Sequence, residues 1–127
     1  YRGLAERMAM RPPVSYKRFR CATPGWDNSP RRKQGADIFD GSTPELYERW
    51  LRTIIEHTLA DRAGDERIVF VNAWNEWAEG NHLEPDLRWG RAYLEATKRA
   101  LHLSGEPGAQ STTPERQREL QDGVARA

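Results

Sequence analysis

The sequence predicts an α/β fold in which parallel strands alternate with helices, as in the last βαβα units of a (β/α)8 TIM barrel. Three observations carry that prediction. Ile68 to Ala73 is an apolar run rich in β-branched residues and long enough for one buried strand. Before it, Leu46, Tyr47, Trp50, Leu51, Ile54, Ile55 and Thr58 recur at three- and four-residue steps, which gives a helix one apolar face. After it, Trp89, Tyr93, Ala96, Ala100 and Leu103 repeat the same stepping.

Taken in order, Leu4 and Met8 lie at helical spacing, and Pro12-Pro13 ends that segment. Tyr16–Thr23 is a strand, with Tyr16, Phe19 and Cys21 set among Lys17, Arg18 and Arg20. The stretch PGWDNSPRR has two prolines, a glycine and an Asp-Asn pair, so it is loop. Ser42-Thr43-Pro44-Glu45 starts the next helix, with a capping hydroxyl, proline at the first helical position and an acidic first turn. That helix is expected to run to Leu59 or Ala60, where Ala63-Gly64-Asp65 stops it. The helix from Trp89 is expected to stop near Ser104-Gly105-Glu106-Pro107. Residues 1–103 are therefore read as the domain portion, and 104–127, rich in Gln, Ser, Thr, Arg and Glu, as a polar disordered tail.

Two parallel strands joined by a helix form one right-handed βαβ unit, and two strands cannot make a covered parallel sheet. A (β/α)8 barrel takes roughly 250 residues, so this chain reads as the C-terminal part of one. The missing N-terminal part of the barrel is then its first expected partner. Without it, the chain is expected to be inactive and poorly soluble, because a partial barrel exposes sheet edges and inner helix faces.

Composition narrows the function classes. With 20 Lys+Arg against 19 Asp+Glu, the formal charge is +1, which gives no case for nucleic acid or an anionic membrane surface. No run approaches the roughly 20 apolar residues of a membrane span. The single cysteine, Cys21, forms no internal disulfide or thiolate cluster, and is expected to be a small buried residue in a reducing, cytoplasmic setting. No cofactor motif is present: Gly64, Gly80 and Gly90 do not make a phosphate-cradling loop, and His82, Glu84 and Asp86 match no metal pattern.

Chemistry concentrates where the second strand ends. After Ala73 the chain turns polar, with Asn75, Glu76, Glu79, Asn81, His82, Glu84 and Asp86 set around Trp74 and Trp77. In a parallel sheet the C-terminal strand ends share one side, so the PGWDNSPRR and NEWAEG loops should open onto one face, where barrels place their active sites. Glu76 and Glu79, three apart, fit an acid and base pair for a glycosidic bond, or two solvated loop residues. Trp26 and Trp77 offer faces to the apolar surface of a sugar, while Trp74, Trp50 and Trp89 are read as core. Asp27, Asn28 and Arg31, with Arg32, fit hydroxyl and acid recognition, or an Asx-type turn followed by surface arginines.

The run FVNAWNEWAEGNHLEPD, the YLEATKRAL helix behind it, TPGWDNSPRR and the TPELYERWL helix together resemble the C-terminal signature of glycoside hydrolase family 99-like proteins. They are closest to the bacterial WbsX-type branch met in lipopolysaccharide and other surface-polysaccharide gene sets. The resemblance covers about residues 1–103. It implies a (β/α)8 barrel, an oligo- or polysaccharide substrate and, in the hydrolase branch, retaining endo-cleavage of α-mannosidic links. The catalytic glutamates of that branch fall on Glu76 and Glu79, with Asn75 beside them. The first would act as base on the sugar's own 2-hydroxyl, and the second would protonate the leaving oxygen and then activate water. The hydrolases carry histidine where this chain has Ala78. WbsX-type proteins are also called glycosyltransferases, and a glycan-binding module without turnover is a third expectation.

Overall fold

The computed structural model describes residues 1–103; the expectation of a disordered tail over 104–127 lies outside the described residues. The elements are α1 (Arg2–Ala9), β1 (Arg20–Ala22), α2 (Pro44–Asp61), β2 (Val69–Val71), β3 (Asn75–Glu76), β4 (Asn81–His82) and α3 (Ala92–Leu103). Strands β1 and β2 pair in parallel, Arg20 with Val69, Cys21 with Phe70 and Ala22 with Val71. Strands β3 and β4 form a short antiparallel hairpin, Asn75 with His82 and Glu76 with Asn81.

Helix α2 organises the core. The Thr43 side chain accepts a hydrogen bond from the Leu46 amide, and Pro44 takes the first turn, where its missing N–H costs nothing. The predicted stripe is the buried one: Tyr47, Trp50, Leu51, Ile54, Ile55 and Thr58 all face inward. Against it pack Ala5 and Ala9 of α1, Ala22 of β1, and Tyr93, Ala96 and Ala100 of α3. The fully covered Ala96 and Ala100 let α3 approach α2 closely. Each large side chain in this stripe contributes about 1.5–3 kcal/mol by leaving water.

Four sequence expectations are corrected here. The run from Ile68 to Ala73 is not a fully buried strand: only Val69–Val71 pair, and Ile68 and Phe70 are 41% and 55% exposed. Side chains alternate across a strand, so Val69 and Val71 pack against the core while Phe70 points to the open face and meets Phe19 edge-on at 6.1 Å. Cys21 lies opposite Phe70 in the register and is exposed rather than buried, for the same reason. Trp74 sits beyond the end of β2 and is 54% exposed, not core. Trp89 is only partly buried and precedes α3: Asp86 Oδ1 accepts from the Arg88 and Trp89 amides, so these residues form a turn before the helix starts.

Candidate active site

The loop after β1 and the hairpin after β2 meet on one side of the sheet. The Asp27 amide donates to the Glu79 carbonyl at 2.7 Å. Arg31 Nη1 donates to Glu79 Oε1 at 3.0 Å. Gly25 faces Gly80 so closely that a Cβ on Gly25 would lie 2.8 Å from the Gly80 carbonyl oxygen. The hairpin turn Trp77–Glu79 closes on Gly80 at φ 56°, a left-handed conformation that glycine adopts without steric cost.

The glutamate pair is divided by this turn. Glu76 ends β3 and is exposed. The Glu79 side chain is only 18% exposed and has one oxygen, Oε1, held by Arg31. Asn75 is exposed on the neighbouring strand position.

Trp77 is the most constrained aromatic of the site. Its ring stacks on His82 with centroids 3.7 Å apart and planes 12° from parallel. Its indole N–H donates to Glu84 Oε2 at 2.6 Å, so it is not the free donor a sugar would use. His82 Nδ1 lies 3.1 Å from the Glu84 carbonyl oxygen, and Nε2 is 4.0 Å from Asp86 Oδ2. With one ring face covered and the residue still 49% exposed, Trp77 presents a held apolar surface.

In the first loop, the polar side chains hold the loop's own shape. Asp27 Oδ1 accepts from the Ser29 amide at 2.9 Å, an Asx-type turn that starts the 3-10 turn Ser29–Arg31. The hydrogen bonding from Ser29 holds the Asp27 carboxyl below its usual range. Asn28 is 5% exposed, and its Oδ1 accepts from the Asp37 amide at 2.9 Å. Trp26 is half-buried against Phe39, with ring centroids 6.4 Å apart.

A cleft of about 590 Å³ runs between this loop, the hairpin and the turn before α3. Trp26, Asp27 and Trp77 line it, together with Asp40, His82, Asp86, Arg88 and Trp89. Neither Glu76 nor Glu79 is on its wall; they lie on the hairpin beside Trp77 and Gly80, which are.

Asn81, in sequence only one of the polar residues after Ala73, is fully buried. Its Oδ1 accepts from Thr23 Oγ1 at 2.8 Å and from the Ala73 amide at 3.2 Å, tying both strand ends to the hairpin. A polar residue behind a turn glycine carries no local sign of burial. Its partner Thr23 is 58 positions earlier, so only tertiary structure reveals the contact. Among the described residues no group of acidic, histidine or cysteine side chains is arranged to hold a metal ion. No helix among them is long and apolar enough to cross a membrane.

A family model described as Glycosyltransferase WbsX matches residues 1–97. Two proteins from two strains of Xanthomonas campestris pv. campestris, both described as uncharacterized protein WxcX, are each 42% identical over 114 residues. The matched segment is 90% of this chain and 16% of each of those proteins. The chain therefore spans about a sixth of the length of the curated relatives it matches. No solved structure matches it.

Proposed function

The chain belongs to the WbsX glycosyltransferase family, and from that premise we propose that it supplies part of the active site of an enzyme acting on glycosidic bonds in polysaccharide assembly. The observation that carries this reading is the β3–β4 hairpin. It carries Glu76, Glu79 and the held indole of Trp77 on one short turn, and Trp77 lines the cleft.

In the proposed chemistry, Glu76 takes the proton of the sugar's 2-hydroxyl. The 2-oxygen bonds to the anomeric carbon as the bond to the leaving oxygen breaks, and Glu79 protonates that oxygen. In the second half, Glu79 takes a proton from an incoming hydroxyl, whose oxygen bonds to the anomeric carbon. The 1,2-bond then opens, and Glu76 returns its proton to the 2-oxygen. General acid–base work of this kind contributes about 10²- to 10⁴-fold. Arg31 fixes one Glu79 oxygen and so aims the other. The incoming hydroxyl decides the reaction class: water gives hydrolysis, a second sugar gives transfer. The family description favours transfer.

The open sheet face of Phe19, Cys21 and Phe70 supports the barrel reading, since further strands would cover it. The test uses the intact protein with an α-linked oligosaccharide, assayed for reducing ends released into water and for sugar incorporated from an activated donor. Glu79→Gln should abolish whichever turnover is found while leaving binding. Undiminished turnover in that variant overturns the proposal. Saccharide binding without any product favours a non-catalytic glycan-binding module.

A further inference from the structure

We propose that the cleft beside the hairpin takes neutral or ammonium-bearing sugar units and rejects uronate- or phosphate-bearing ones. This choice of substrate class rests on the glycan-active reading above. The cleft of about 590 Å³ has the held face of Trp77 as its apolar platform. Its charged lining residues are unbalanced: Asp27, Asp40 and Asp86 stand against Arg88, with His82 beside them.

The Arg88 guanidinium is not matched to the carboxylates. Its carbon lies 5.0 Å from the centroid of the Trp89 ring, seated over the indole. Two of these residues, Asp27 and Asp86, have carboxylates that are held rather than free to swing away. Asp27 Oδ1 is held by the Ser29 amide, and Asp86 Oδ1 by the Arg88 and Trp89 amides at 2.8 and 2.5 Å. Asp86 Oδ2 is 4.0 Å from His82 Nε2. The Asp40 carboxylate has no hydrogen-bond or ion-pair partner among the described residues; only its carbonyl oxygen accepts, from the Tyr1 amino group.

An ionised carboxylate only accepts hydrogen bonds. The three aspartates therefore add acceptors to the wall, which hydroxyl and ammonium donors satisfy and a second carboxylate or a phosphate does not, and they outnumber the one arginine there. An anionic substituent would also enter within the roughly 8 Å over which like charges are felt at physiological salt.

The experiment titrates the intact protein with one α-linked manno-oligosaccharide in three forms that differ only at C6: hydroxymethyl, aminomethyl and carboxylate. The amino and neutral forms should bind at least about tenfold more tightly than the carboxylate form, with the gap shrinking at high salt. Asp40→Asn, whose side chain holds no contact in the fold, should narrow the gap as well. Trp77→Ala should weaken all three forms, which places the binding in this cleft. A carboxylate form that binds as tightly as the neutral one overturns the inference while the glycan-active reading stands. So does a gap unchanged in Asp40→Asn, or binding indifferent to Trp77→Ala. Failure of all three forms to bind overturns the cleft as a sugar site, and the glycan reading of this cleft with it.

Discussion

Arg31 Nη1 and Glu79 Oε1 lie 3.0 Å apart, linking the loop after β1 to the hairpin after β2 across 48 positions of sequence. The arginine is more than half exposed and the glutamate is 18% exposed. A pair of that exposure adds only about 0–1 kcal/mol to stability. In the proposed mechanism its value is orientation of Glu79. Arg31→Ala should leave the thermal midpoint nearly unchanged while lowering kcat/KM by about 10- to 100-fold, the scale of a misplaced catalytic group. Arg31→Lys should restore only part of the loss, because an ammonium lacks the planar fork. Equal activity in Arg31→Ala and the parent would show that Glu79 is aimed by something else.

The approach of Gly25 to Gly80 gives a steric prediction. A Cβ on Gly25 would meet a backbone oxygen at 2.8 Å, and a backbone atom has no rotamer by which to yield. Gly25→Ala should therefore part the two loops, costing about 1–3 kcal/mol and lowering turnover more than Arg31→Ala does. At Gly80 the added carbon has ordinary room, 3.4 Å from Asp27 Cβ, but φ is +56°. Gly80→Ala should cost about 1 kcal/mol through backbone strain alone. Denaturant midpoints of the two variants would order them, and a Gly25→Ala protein as stable as the parent would contradict the contact.

The contrast between α2 and β2 shows how much was legible in the sequence. Helix α2 was readable to within one or two residues because its cap, its proline and its apolar stripe are all local. The meeting of the two polar loops followed from parallel strand direction. The apolar run at Ile68 misled, because β-branched composition shows that a strand can be buried and not which face is covered. Trp89 misled for another reason: its spacing fits a helix, but the Asp86 side chain captures its amide into a turn first. Asn81 and the Trp77–His82 stack were not legible as a hub or a platform, since their geometry depends on how the hairpin folds back.

The stack itself predicts a division of labour between Trp77 and its two supports. Ring contacts of this kind are worth about 0.5–1.5 kcal/mol beyond area burial. His82→Ala should therefore weaken saccharide binding by about 2- to 10-fold without the larger loss expected of Trp77→Ala. Glu84→Gln keeps an acceptor for the indole N–H and should bind nearly as the parent does, whereas Glu84→Leu should not. Dissociation constants for the four variants, measured with one oligosaccharide, check the order. Affinity in His82→Ala equal to the parent's would mean that the platform holds itself.

High pH should unfold the domain through its buried phenols. Burial pushes the Tyr47 hydroxyl up from 10.0 to about 12, against a smaller lowering by its hydrogen bond to Thr97. Burial raises Tyr1 and Tyr93 too. A phenol whose folded value lies above its unfolded value contributes its full stability below the unfolded value. Above that value the unfolded chain ionises first, so stability is lost as pH climbs toward the folded value. For Tyr47 the window is pH 10 to about 12. The thermal midpoint should fall steeply across it, and Tyr47→Phe should start lower, through the lost Thr97 contact at 3.1 Å, yet fall less. A Tyr47→Phe slope equal to the parent's over that window would assign the alkaline loss to Tyr1 and Tyr93 instead.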